Sequence, residues 1–220
     1  EAGYNFNELL AVFDKFYMDQ EEIKKFLESF VIKRERTIVI IDFGNVEKWK
    51  YGLGWRIGIR ELASLIKHFT CGERFLRRFY YGADYGPNEK STKLIDWSEF
   101  ILRTANSNGF EVVEKRVKYI HTHGNALGFN KKCDLDVEMA VDLIREQANY
   151  DTIILFSGDG DLIAAIQYLK EVYGKHTIIV SARGHIGREI IDAKKDRIID
   201  NILFADDFEY RLNMDRFRRR

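Results

Sequence analysis

Thr152-Ile-Ile-Leu-Phe-Ser-Gly-Asp-Gly-Asp-Leu162 runs from an unbroken apolar and β-branched segment into two carboxylates separated by one glycine. A run of this kind predicts a strand buried on both faces, and the helical spacing of Leu162, Ile163, Ile166 and Leu169 predicts a helix after the turn. In an open parallel sheet, strand-to-helix turns of this type stand at the carboxyl edge, where ligands bind, and helix N-termini there favour anionic groups. The reading therefore places Asp159 and Asp161 at that edge. An aspartate before a helix is also an ordinary N-cap, and Gly160 is ordinary turn chemistry. A second strand that ends the same way favours chemistry over capping.

That strand is Thr37-Ile-Val-Ile-Ile41, which stops at Asp42-Phe-Gly-Asn45. Between and beyond the two, the periodicity predicts a helix over 55–69 with Ile59, Leu62, Ala63, Leu65 and Ile66 inward. It then predicts a strand over 75–81, a turn at Tyr85-Gly-Pro-Asn88, a helix over 91–105 and a strand over 110–119. His121 to Lys132 lacks periodicity and reads as a loop at the sheet edge. From Asp136 a helix is expected with Val137, Ala140, Val141 and Ile144 inward. After the helix that ends near Val172 come a strand over 176–180, a turn at Ser181-Ala-Arg-Gly-His185, a short helix and a last strand over 198–204. This alternation predicts an α/β fold with a doubly wound, mostly parallel central sheet. Ahead of it, Leu9, Leu10, Phe13, Phe16, Tyr17, Ile23, Phe26, Leu27 and Phe30 follow helical spacing in two segments. They predict an N-terminal helical arm that packs on the domain or, alternatively, forms a homodimer through these helices.

At 220 residues with 45% hydrophobic content, the chain can bury one substantial core. Lysine plus arginine balances aspartate plus glutamate at 35 each, so any basic surface must be local. Cys71 and Cys133 have no CxxC spacing, which argues against structural zinc or a disulfide scaffold and fits a reduced, cytoplasmic compartment. No apolar stretch approaches about 20 residues and no signal-peptide pattern appears, so neither a membrane span nor export is expected.

Asp42, Asp136, Asp159 and Asp161 come from three places in the sequence. With parallel strands in the usual order, all three turns fall on one sheet edge near the switch point. Converging carboxylates raise one another's pKa values unless a cation compensates. Hard oxygen donors suit Mg²⁺ or Mn²⁺, and the corresponding chemistry is metal-assisted attack of water on a phosphodiester. A phosphatase-like reading is disfavoured, because Asp42-Phe-Gly lacks the second carboxylate of a DxD loop.

Asp42-Phe-Gly-Asn45, Lys132-Cys-Asp-Leu-Asp-Val-Glu-Met-Ala-Val-Asp142 and Phe156-Ser-Gly-Asp-Gly-Asp-Leu162 resemble, in order and spacing, the NYN domain family of PIN-like nucleases. Ser181-Ala-Arg-Gly-His185 is similar to the ending of some bacterial members. The resemblance spans roughly Thr37 to Phe204. It implies a PIN-like (Rossmannoid) α/β/α sandwich that hydrolyses RNA, less often DNA, with a divalent metal, and an endoribonuclease is the expectation here. The alternative within the family is a catalytically weak RNA-binding or regulatory scaffold. Carried over by residue, Asp42, Asp136, Asp159 and Asp161 match the acidic metal site, Asn45 the asparagine that supports it or contacts phosphate, and Ser157 a helix cap or phosphate contact. Two departures stand out: Phe43 occupies a position where a small or polar residue is frequent, and Cys133-Asp134 replaces a glycine-containing link. Asp142 fits the pattern, but its helical phase lies about 120° from Asp136, which leaves a structural salt bridge and a ligand role both open. The implied organisation is a helical extension over 1–35, a nuclease domain over 36–206 and a basic tail over 207–220.

Substrate-binding candidates at the expected active edge are Lys132, Arg183 and His185, with Lys131 beside them. The tail carries Arg216, Arg218, Arg219 and Arg220, which read either as phosphate contacts or as a solvated end. His121 and His123, an HxH pair without further ligands, read as a surface loop. Trp49, Tyr51 and Trp55 are candidates for base stacking, with core packing expected of at least one.

Overall fold

The computed structural model describes residues 36–70, 75–121 and 129–215, with Lys25 besides. The expected N-terminal arm, Cys71, His123 with its neighbours and the arginines of the tail lie outside the described residues.

Six strands form one wholly parallel sheet: β1 (Thr37–Asp42), β2 (Phe75–Ala83), β3 (Glu111–Arg116), β6 (Thr152–Phe156), β7 (His176–Ser181) and β8 (Asn201–Phe204), in the spatial order β3-β2-β1-β6-β7-β8. The order runs outward in both directions from the β1–β6 pair. Both central strands therefore point their carboxyl ends into the crevice at the reversal, where doubly wound sheets bind ligands. Their register pairs Ile41 with Phe156, which sets Asp42 level with Ser157.

Both central strands are apolar on both faces because helices cover both. Val39, Ile41, Ile154 and Phe156 face α3 (Ile59–Phe69) and α4 (Asp96–Ser107) in one core. Ile38, Ile40, Ile153 and Leu155 face α5 (Asp136–Arg145), α6 (Ile163–Tyr173) and α7 (Arg188–Lys195) in the other. Short helices α1 (Phe43–Val46) and α2 (Lys50–Leu53) follow β1 directly, and α8 (Glu209–Leu212) closes the first core through Leu212. None of the described helices is long and apolar enough to cross a membrane.

Four local expectations are corrected. The strand expected over 110–119 divides, because Val117 leaves the sheet to bond the Ala83 carbonyl. Beyond it β4 (Lys118–His121) pairs antiparallel with β5 (Phe129–Lys132), so the far end of the expected 121–132 loop is a strand of a separate hairpin. The helix expected from residue 91 begins at Asp96.

The fourth correction concerns which face of α5 is buried. Val137 is 70% exposed, with Val141 and Ile144 also on the surface, while Met139, Asp142 and Leu143 are buried. A carboxylate can occupy that inner face because Arg78 on β2 meets Asp142 at 2.9 Å and the Tyr80 hydroxyl donates to it at 2.7 Å. Asp142 thus resolves as a structural ion-pair partner. Phe43 is explained in the same way: it is buried, with its ring 4.7 Å from Phe79 and 6.0 Å from Tyr81.

Candidate active site

The carboxyl ends of β1 and β6 are locked together by their own side chains. Asp42 caps α1 by accepting the Asn45 N–H at 3.1 Å, and its other oxygen accepts from the Ser157 hydroxyl at 3.1 Å. The Asn45 side-chain oxygen accepts from the Trp49 indole at 2.7 Å and from the Gly158 N–H at 2.9 Å, tying the first motif to the second. Ser157 in turn accepts the Asp159 N–H at 3.1 Å, and Asp159 accepts the Asp161 N–H at 3.2 Å. Gly158 must be glycine because a Cβ there would collide with the His185 carbonyl. At the third corner, the Asp136 N–H donates to the Asp134 carboxylate at 3.2 Å, turning the chain into α5.

The result is one cavity of about 460 Å³ whose wall includes Asp42, Asp134, Asp136, Asp159 and Asp84, with Asn45, Lys48 and Lys131. Its electrostatics are dominated by crowded negative charge. Burial, reinforced by Asp159, holds the Asp42 carboxyl above the usual range despite hydrogen bonds from Asn45 and Ser157. Burial beside Asp134, Asp42 and Asp159 pushes Asp136 up to about 7, while Asp134, hydrogen-bonded to Asp136, is held low. Asp84 stays ionised: burial alone would raise it, but Lys131 at 2.7 Å and the Tyr119 hydroxyl at 2.6 Å outweigh burial and lower it.

Of the residues singled out from sequence, Asp42, Asp136, Asp159 and Asn45 share this wall. Asp161 is exposed and is not among the lining residues; its backbone N–H supports Asp159. Ser157 is buried behind the carboxylates as their bridge. Lys132 is exposed on β5 and outside the wall, whereas its neighbour Lys131 is in it. Arg183 is engaged by Asp207 at 2.7 Å and lies over the Phe204 ring. His185 is half-buried, and a Cβ on Gly52 would stand 3.2 Å from its ring. Trp49 is fully buried, Trp55 packs partly buried against the core, and Tyr51 is 78% exposed. Sequence reasoning missed Asp84 and Asp134 as wall residues, while Lys131, expected at the active edge, is in the wall. Asp84 carried the same signal as the others, an acid just past a strand end.

Among the described residues, no three acidic, imidazole or thiol groups form a ready-made metal cage. The donor set nevertheless fits a hard divalent ion that keeps most of its waters and binds through one or two carboxylates. Both Asp42 and Asp136 are raised, first by burial and then by neighbouring carboxylates, which marks a site short of positive charge.

The whole stretch matches the NYN domain over residues 36–208. The chain belongs to the NYN domain family. NYN domains are nuclease-like, which agrees with carboxylates gathered at the switch point. The chain is 38% identical over 94 residues to the Low amplitude and bright protein LabA of Synechococcus elongatus; the match takes in 43% of this chain and spans about half the relative's length, 50%. A solved structure of a protein of unknown function from Vibrio parahaemolyticus superposes with a TM-score of 0.55 at 23% identity, over 78% of this chain and 93% of that one. That likeness is one of fold.

The raised carboxyls of this NYN domain make stability depend on pH with a definite sign. Asp136 titrates near 7 in the folded state and near the usual value of about 4 in the unfolded chain, so between those pH values folding takes up a proton. In EDTA the melting temperature should therefore fall as pH rises from about 5 to 7.5. Millimolar Mg²⁺ should restore it most at the upper end, because the ion favours the ionised form. A thermal melt series with and without Mg²⁺ checks this, and an Mg²⁺ effect independent of pH would contradict it.

Proposed function

We propose that this NYN domain is a divalent-metal-dependent ribonuclease, an endonuclease that hydrolyses phosphodiester bonds in RNA, with DNA as the alternative substrate. The observation that carries the reading is the convergence of Asp42, Asp136 and Asp159, from three elements, on one cavity with Lys48, Lys50 and Lys131 in its wall. Asp42, Asp136 and Asp159 would hold Mg²⁺ or Mn²⁺. Bound there, the ion supplies Lewis acidity toward the phosphodiester and eases deprotonation of the attacking water.

The chain's own residues do the rest. Asn45 and Ser157 hold Asp42 in place through the bonds described above. Lys48 and Lys131 offset phosphate charge at the wall. Asp161 holds Asp159 from outside the cavity and acts as a supporting member of the acidic set. Lys132, Arg183 and His185 contribute to the path of the strand beyond the cavity rather than to its wall. The nuclease unit is taken as residues 36–206, against which Glu209–Leu212 pack through Leu212. The compartment that fits a chain with two cysteines is the cytoplasm.

The test is cleavage of single-stranded and structured RNA and DNA by the wild-type chain in Mg²⁺, Mn²⁺ or EDTA. Internal cuts that EDTA abolishes are expected. Tight, metal-independent RNA binding without product would turn the assignment to an RNA-binding scaffold.

A further inference from the structure

A second cavity opens beside the acidic one, and the two share Glu47, Lys50 and Trp97 in their walls. It is a groove of about 680 Å³ between α3, α4 and the segment after α2, floored by Phe43, Ile57 and Ile101. At its rim stand Trp97 and Phe100, successive members of one face of α4, each 40% exposed. Their rings stack at 5.5 Å between centroids with an interplanar angle of 25°. The indole N–H donates to Glu47 at 2.7 Å. Large aromatics usually bury most of their surface, so two exposed rings held parallel and tethered form a prepared platform. Two cations flank it: Lys50 belongs to both walls, and Arg60 is exposed in the groove.

From the continuity of this groove with the acidic cavity, and from the fixed aromatic pair between them, we infer that Trp97 and Phe100 are a stacking subsite for an unpaired nucleobase next to the phosphate cut at Asp42, Asp136 and Asp159. The inference rests on the nuclease reading and deepens it, because it selects single-stranded over duplex substrate. A base inside a duplex has both faces occupied by its neighbours, whereas a base in a single strand can turn one face onto the indole. The carboxylates provide no such discrimination, since phosphates are present in both substrates. Basic side chains along the route complement the strand's charge.

The test is binding rather than turnover. In EDTA, fluorescence anisotropy would follow the full chain on a labelled single-stranded RNA of about twelve nucleotides, within the span such grooves accommodate, and on the duplex of the same sequence. Trp97→Ala should weaken single-strand binding on the order of ten-fold, the worth of one stacked base, with duplex binding changed less than two-fold. Trp97→Phe should retain most of the affinity. Tryptophan emission should be quenched by the single strand in the wild type and not in Trp97→Phe, which leaves only Trp49 and Trp55. Unchanged single-strand affinity in Trp97→Ala, or equal loss on both substrates, overturns the subsite. So does a Trp97 that acrylamide cannot reach in the RNA-free chain, which would mean that another part of the protein fills the groove. Cleavage by the wild type with a negative result here removes the subsite alone; a wild type that neither binds nor cleaves any nucleic acid removes the nuclease reading as well.

Discussion

Asp42→Asn is expected to lower RNA cleavage by about a thousand-fold or more while leaving the melting temperature unchanged or higher. The activity loss follows from removing an anionic oxygen donor at the centre of the proposed ion site; about 4 kcal/mol of transition-state stabilisation corresponds to that factor. The stability result follows from the local chemistry. Burial disfavours the ionised form of Asp42, and Asp159 adds repulsion. Asparagine relieves both while its oxygen still accepts from the Asn45 N–H or the Ser157 hydroxyl. Asp159→Asn should behave similarly in activity. Asp161→Asn should cost far less, because its link to Asp159 is a backbone N–H that the substitution keeps. Gel-resolved cleavage and thermal melts on the same preparations separate the effects. Wild-type turnover in Asp42→Asn would remove the acidic cavity from the mechanism, and loss of folding would mean that the carboxylate is structural.

The largest stability effect is expected far from that cavity. Arg78, only 7% exposed on β2, meets Asp142 and Glu146 each at 2.9 Å, and Asp142 is itself 8% exposed. Arg78→Leu leaves Asp142 with only the exposed Arg145, at 3.1 Å, and Glu146 without its Arg78 partner, in a site with little water, a change that costs about 3–5 kcal/mol. Arg78→Leu/Asp142→Leu should be less damaging than Arg78→Leu alone, because the charge most deeply stranded is gone and leucine suits the inner face of α5. Urea unfolding of the single and double variants measures both. A loss below about 1 kcal/mol for Arg78→Leu would show that water reaches the pair and that its burial counts for little.

The architecture was legible because its signals are local. Ile38 to Ile41 and Ile153 to Phe156 are apolar without alternation, a pattern that belongs to strands covered on both faces, and the helices between them show regular apolar spacing. A parallel sheet with carboxylates at its strand ends follows, and Asp42, Asp136 and Asp159 do meet. The inward face of α5 was misread because Val137, Val141 and Ile144 are the more apolar stripe. The stripe that is buried includes an aspartate, and what allows its burial is an arginine 64 positions earlier in the chain. Lys131 rather than Lys132 entered the cavity wall because side chains alternate along β5, and the phase of a short hairpin strand is set by its partner β4.

Taken alone, the sequence determined the family, the alternation of strands and helices, and which acids end the central strands, since these depend on the order of residues along the chain. Only the tertiary structure decided that Asp161 stands outside the cavity while Asp84 and Asp134 enter it, that Ser157 and Asn45 bridge two motifs more than 100 residues apart, and that Trp97 lies where two cavities meet. Those outcomes depend on sheet register and on which side chains from distant elements neutralise or fill one another, and such pairings exist only once the chain has closed on itself.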